Sequence, residues 1–294
     1  MTMTQCNCIL PGGYVDQRGQ AMRDLLLLPL NGFCERLIAG SLHLSAPALT
    51  TALLANCIAR IGDIEDVPEW LVRDLLVGDR QFLLLKLREI TFGRDIRAVI
   101  SCAWQDCGKK MDIDFTIDSI PVKTVPQLSL HHTMTLSEES GGIQVTFRLP
   151  NGSNQEALFS LAEEDEMQAA DLLLARCIKS IGPLAPPLPA DITNLSSKAK
   201  EEIEKAMETL GPKLDLTMEA FCPECRRMFA ASFDLEHFIL DELRTSLDAL
   251  LQEVHYLAFH YHWSETEILG MTRENRRRYI EILSAQMERI HDSF

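Results

Sequence analysis

Positive charge is scarce in this chain. Lys and Arg number 28 against 43 Asp and Glu over 294 residues, a formal net charge of −15. Nucleic-acid affinity rests on neutralising phosphates with basic side chains, so such a role would need that charge concentrated in one place. The one cluster is Arg273, Arg276, Arg277 and Arg278, and Glu274, Glu281 and Glu288 share its region. Its spacing fits a solvated helix face or a protein contact. Long apolar runs are missing too. LLLLPL at 25–30 is far short of the roughly 20 residues of a membrane span, and Pro29 interrupts it. The opening MTMTQCNCILPGGYV has no basic region followed by an apolar one, so no secretory signal is expected. The sequence has no HExxH, no GxSxG and no Walker glycine–lysine loop. His255, His260 and His262 lack the i,i+4 spacing that would present two imidazoles together, and the adjacent His131 and His132 point to opposite faces of a strand. Asp63, Glu65 and Asp66 read as a solvated acidic loop. The expectation is a protein that is not an enzyme.

What the chain does have is four cysteines in two tight pairs, set far apart. Cys102 and Cys107 lie in SCAWQDCGKK; Cys222 and Cys225 lie in FCPECRRMF. At each separation two thiolates on a turn can face one metal ion. Structural zinc completes a tetrahedron, and four thiolates supply it without another residue. The flanks agree. GKKMDIDFTID follows the first pair and RRMFAASFDLE the second. Both start basic, carry an early Met, and place a Phe eight residues past the cysteine, Phe115 and Phe233. Both alternate as half-buried strands do. Each half reads as a knuckle followed by a strand, and together they make a zinc ribbon split by a long insertion. A redox CxxC would need a thioredoxin-like strand–helix context, which Cys222 lacks. Nine cysteines without a regular framework favour a reducing compartment. Cys34, Cys57 and Cys177 fall in apolar helical stretches and read as core thiols. Cys6 and Cys8 read as part of an exposed, unpaired start, with metal binding as the alternative.

The rest of the pattern is mixed. Residues 9–30 read as a hairpin or extended arm. Helical periodicity runs from Ala48 to Ile61, and Pro68 suits the first turn of PEWLVRDLL. Asp79 is placed to cap DRQFLLLKLREITF, with Gly93 as its stop. Alternating runs flank Ser140, Gly141 and Gly142, a second hairpin. Residues 155–181 read as helical, the proline-dense 182–197 as a linker, and KAKEEIEKAMETL as a polar helix. A long helix is expected from about Leu235 to His262. Ser264 with Glu267 is a capping box, Thr272 caps a last helix, and these helices pack around Trp263, Ile268, Leu269, Tyr279, Ile280 and Leu283.

Several stretches, in order, carry a resemblance: LPGGYVDQRGQ (10–20), VRDLLVGDRQFLLLKLREITFG (72–93), CAWQDCGKKMDIDF (102–115), VTFRLPNGSNQEAL (145–158), FCPEC (221–225) and EVHYLAFHYHWSETEILGMTRENRRRYIEIL (253–283). The chain resembles the baseplate proteins of contractile-tailed, T-even-type phages and their relatives in contractile injection systems. Where that family's first pair is commonly C-P-x-C, this chain has CAWQDC. The resemblance implies a baseplate or baseplate-assembly role and no catalysis.

The fold expected is α+β, mainly helical, with a split four-cysteine zinc ribbon, small antiparallel hairpins and a C-terminal helical region. Its parts are an N-terminal hairpin or arm (1–30), a helical region (31–93), a ribbon split between 94–120 and 215–234, an insertion (121–214) and the C-terminal helices (235–294). Zinc would be held by Cys102, Cys107, Cys222 and Cys225. The functional expectation is a structural component of the baseplate or hub of a contractile phage tail or injection system. Its partners would be other baseplate, hub or tail proteins, with no nucleic acid and no membrane insertion. The alternative is an assembly chaperone of the bacterial cytoplasm for a baseplate, spike or tape-measure protein, absent from the mature particle. A zinc-ribbon nucleic-acid adaptor is the outsider.

Overall fold

The alternating start of the chain pairs as an antiparallel hairpin of β1 (Cys6–Val15) and β2 (Ala21–Leu27). The computed structural model describes residues 5–16, 18–41, 43–243 and 247–291. Helices α1 (Gly32–Gly40) and α2 (Ala46–Cys57) follow the hairpin, then β3 (Ile58–Ile61) and the short β4 (Ile64–Glu65), in a sheet of order β1-β2-β3-β4. The pair α3 (Glu69–Asp74) and α4 (Val77–Phe92) completes this first unit. Three expectations are corrected here. The helix does not run to Ile61. β2 offers an open ladder edge, and Ile61, Arg60 and Ile58 pair with Leu25, Leu26 and Leu27 along it. Isoleucines beside an open edge favour strand over helix. Asp79 is not the cap of α4, whose cap is Leu76. Asp79 is buried within the first turn and accepts a 2.7 Å hydrogen bond from Gly12 N–H of β1. Cys6 and Cys8 lie within β1 rather than on an unpaired start, with Cys8 buried and the two sulfurs 3.2 Å apart. Gly93 ends α4 as expected, at φ +91°.

Strands β5 (Asp95–Ser101) and β6 (Lys110–Thr116) form a second hairpin. After β7 (Val122–Lys123) come β8 (His132–Thr135) and β9 (Gln144–Phe147), then α5 (Gly152–Glu164), α6 (Glu166–Cys177) and β10 (Ile178–Ile181). The helix expected over 155–181 is therefore broken twice. The Asp165 side chain caps α6 by accepting from Gln168 N–H, and Ile178–Ile181 pairs with β9. The proline-dense 182–197 contains α7 (Pro189–Thr193), and α8 (Ser197–Leu210) follows. β11 (Lys213–Leu214) pairs back onto β7 before the last hairpin, β12 (Thr217–Phe221) and β13 (Met228–Ser232). The chain continues through α9 (Leu235–Leu243), α10 (Leu247–Tyr261), α11 (Glu265–Leu269) and α12 (Arg273–His291). The single helix expected from Leu235 to His262 is described as α9 and α10; residues 244–246 lie outside the described residues. The fold is thus α+β, mainly helical with small antiparallel sheets.

The stretch from β9 to α8 repeats the first unit 120 residues on, Asn31 to Asn151. LLANCIARIG at 53–62 returns as LLLARCIKSIG at 172–182, with Cys57 matched by Cys177 and Gly62 by Gly182. Strand β10 pairs Ile181, Ser180 and Ile178 with Val145, Thr146 and Phe147, which is the register of β3 on β2 with the same bulge. Gly62 and Gly182 take φ +54° and +53°. Asn31 and Asn151 cap α1 and α5 with the same backbone angles. Each unit has its own core: Leu54, Ile61 and Leu83 belong to the first, Leu174, Ile181 and Ile203 to the second. A third core lies among α10, α11 and α12, with Leu257, Ile268 and Leu269 buried and Trp263, Tyr279 and Ile280 against them. The basic cluster of α12 is not simply a solvated face. Arg276 is fully buried; its Nη2 donates to both Glu35 oxygens at 2.8 Å and its Nε to Glu253 at 3.0 Å. A guanidinium survives burial only with such partners, and these tie α12 to α1 and α10.

Candidate metal centre

The β5–β6 and β12–β13 hairpins each end in a knuckle. In the first, β5 delivers Cys102 and β6 leaves after Cys107; in the second, β12 delivers Cys222 and β13 leaves after Cys225. The turns close in the same way. Cys102 N–H donates to Lys109 O at 2.9 Å, and Cys222 N–H donates to Arg227 O at 3.0 Å. The residue after the second cysteine is left-handed in both, with Gly108 and Arg226 each at φ +57°. That conformation folds the turn so that both thiols of a pair face the same way. It suits glycine and strains arginine.

The two knuckles meet. All four sulfurs lie within 4.8 Å of one another. Cys102 Sγ is 3.7 Å from Cys225 Sγ, and Cys107 Sγ is 3.7 Å from Cys222 Sγ. The first cysteine of each pair thus faces the second of the other, the reciprocal pattern of a two-fold contact. Phe115 and Phe233, the phenylalanines eight residues on, meet edge to face at 5.3 Å at the ends of the hairpins away from the knuckles. Cys102 and Cys222 are buried, while Cys107 and Cys225 are partly open to solvent.

Other side chains clamp the knuckles together. Arg227 of the second knuckle lies over the Trp104 ring of the first, 4.4 Å from its centroid, and pairs with Asp106 at 2.6 Å. Trp104 Nε1 donates to Met228 O at 3.3 Å. Trp104, Asp106 and Arg227 were not singled out as site residues from sequence, because nothing local shows that a loop at 104 meets one at 227.

The thiols do not titrate alike. Burial pushes Cys102 up to about 12, and the neighbouring thiols add to this. Burial also raises Cys225, but hydrogen bonds from the Arg227 side chain and backbone and from the other cysteines outweigh it, bringing the thiol down to about 6. Crowded sulfurs cannot all carry negative charge without a cation among them. The four cysteines expected from sequence are therefore brought together across more than a hundred residues, close enough to hold one metal ion.

Residues 45–239 match the sequence model of a family described as T4 bacteriophage base plate protein, about two thirds of the chain and both knuckles included. The chain belongs to that family. No curated protein matches it, and no solved structure does. Membership implies a structural role in a phage baseplate and contacts with other baseplate or tail proteins. Among the described residues of this baseplate-family chain, no helix is long and apolar enough to cross a membrane.

Proposed function

We propose that this protein is a structural component of the baseplate or hub of a contractile phage tail or injection system, held in shape by one structural zinc ion on Cys102, Cys107, Cys222 and Cys225. The family match carries the first part of this reading. The sulfur geometry supports the second. Zn–S bonds of about 2.3 Å in a tetrahedron put neighbouring sulfurs about 3.8 Å apart, and two of the sulfur pairs stand at 3.7 Å. Four thiolates leave no coordination position for water or substrate, so such an ion shapes the protein and does not catalyse. In this reading 94–120 and 215–234 form one ribbon. The 121–214 segment is inserted between its halves, 235–294 is the C-terminal helical region, and the acidic surface and the N-terminal hairpin would meet neighbouring subunits. Metal binding then contributes directly to folding.

Quantitative mass spectrometry of purified mature particles beside the soluble lysate tests the role. A fixed ratio to baseplate proteins in the particle supports a built-in component. Presence in lysate complexes with absence from particles replaces it with the assembly chaperone. Metal analysis of the purified protein tests the zinc: about one ion per chain is expected.

A further inference from the structure

The first unit holds α5 through a joint of three parts. Backbone bonds run both ways, from Gly152 N–H to Leu75 O at 3.1 Å and from Val77 N–H to Pro150 O at 3.3 Å. Glycine allows the approach: a Cβ on Gly152 would fall 2.6 Å from Arg80 Nη1 and 3.0 Å from Arg73 O. The buried Arg80 then reaches Gln155 Oε1 with Nε at 3.0 Å and Thr51 Oγ1 of α2 with Nη1 at 2.8 Å.

The C-terminal helices hold α1 in a matching way, with one backbone bond, a glycine approach and a buried arginine. Gly32 N–H donates to Met271 O at 3.2 Å. A Cβ on Gly32 would fall 3.0 Å from Arg276 Nη1. Arg276 reaches Glu35 of α1 and Glu253 of α10. On the held side, Asn31, Gly32 and Glu35 have the spacing of Asn151, Gly152 and Gln155. On the holding side, the caps Pro68 and Leu76 and then Arg80 have the spacing of Ser264, Thr272 and Arg276.

The second unit carries the holding side again. Its caps are Leu188 and Ser196, and Lys200 follows at the arginine position. Lys200 Nζ pairs with Asp171 Oδ1 at 2.7 Å, and these two residues occupy the places of Arg80 and Thr51. This time the face is open. Pro47 and Ala52 of α2 are buried; their counterparts in α6, Met167 and Leu172, are 79% and 40% exposed. Thr193, Asn194, Ser196 and Ser197 are exposed as well.

We propose that the face formed by α6, α7 and α8 is a docking site for the first helical turn of a partner protein, opening Asn-Gly-x-x-Glu. The glycine is required by the close approach seen in both existing joints. Glutamate is favoured because Lys200, flanked by Asp171, would then repeat the arrangement of Arg276 between Glu253 and Glu35. The occupant comes from a different protein, because this sequence has only two Asn-Gly pairs and both are engaged within the chain.

The probe is a labelled synthetic peptide of residues 145–164 carrying Gln155→Glu, titrated with the full-length protein by fluorescence anisotropy. Saturable binding is expected, weakened about tenfold or more by Lys200→Glu or Leu172→Asp in the protein and by Gly152→Val in the peptide. Both protein positions are partly exposed, so unchanged melting of these variants confirms that the fold is intact. No saturation by about 1 mM, or binding indifferent to these changes, overturns the proposal. A photo-crosslinker at position 172 in producing cells gives the second readout. An adduct on an Asn-Gly helix start of another protein supports the site; an adduct on a second copy of this chain, or none, overturns it.

Discussion

Replacing Glu35 by Ala should loosen the C-terminal helices more than any change on their surface. Arg276 is fully buried and gives both bonds of one Nη to Glu35 at 2.8 Å, while Arg273 Nε approaches the same carboxylate at 3.3 Å. Removing one partner of a buried ion pair costs about 3–5 kcal/mol, chiefly because the other charge is left unmatched. Glu253 still reaches Arg276 at 3.0 Å, which puts the expected loss near the lower end, about 3 kcal/mol. Against a total stability of roughly 5–15 kcal/mol that is a large fraction. At roughly 2–4 °C per kcal/mol the melting temperature should fall by about 6–12 °C. The assay is urea and thermal unfolding followed by fluorescence; Trp263, stacked on Tyr261 at 4.5 Å in the third core, reports the affected region. The double variant Glu35→Leu with Arg276→Met should recover much of the loss, since well-packed apolar residues replace buried ion pairs at little cost. A single-variant loss under about 1 kcal/mol, or a double variant as unstable as the sum of its parts, would refute the reasoning.

Further outcomes are expected elsewhere in the molecule. Cys222→Ser and Cys225→Ser should each lower bound metal and the melting temperature, while Cys34→Ser, in the first core, should leave metal content unchanged; elemental analysis and calorimetry decide. Arg226→Gly should stabilise the protein by about 1 kcal/mol by relieving a left-handed arginine, and Gly108→Ala should cost about as much, read from paired denaturation curves. Burial raises Asp79 to about 7, so the folded state binds a proton that the unfolded state releases near pH 4. Stability contributed by this group is therefore full below about pH 4 and is lost as pH rises to about 7, by about 4 kcal/mol. Asp79→Asn should flatten that slope in a stability–pH series. Gly152→Ala should cost about 1–3 kcal/mol, because the added Cβ meets the Arg80 guanidinium at 2.6 Å.

The chemistry of the candidate site could be read locally and its assembly could not. Two knuckles with their strands follow from cysteine spacing and alternation, and the structure places all four sulfurs together. The baseplate resemblance is borne out by the family match over 45–239, which takes in the stretches at 72–93, 102–115, 145–158 and 221–225. Capping is equally local: the Ser264–Glu267 box and the Gly93 stop stand where composition puts them. The failures are tertiary. Ile58–Ile61 continues a helical period, but the edge of β2 decides its state. Arg276 has the spacing of a solvated face, yet Glu35, more than two hundred residues away, draws it inside. The repetition was available in the sequence, as the matched Leu-Ala-x-Cys-Ile and Ile-Gly positions of 53–62 and 173–182. It appears only when the chain is laid against itself, because each unit alone reads as ordinary helix and strand.

The two knuckles also decide where force travels. Once a metal ion bridges them, residues 108–221 become a closed loop hanging from four sulfurs. A pull on the chain ends passes from β5 through Cys102, the ion and Cys225 into β13, so the backbone of the second helical unit lies outside the direct path. That unit stays tied to the first through the α5 joint and can take up a partner on its open face without tension running along its own backbone.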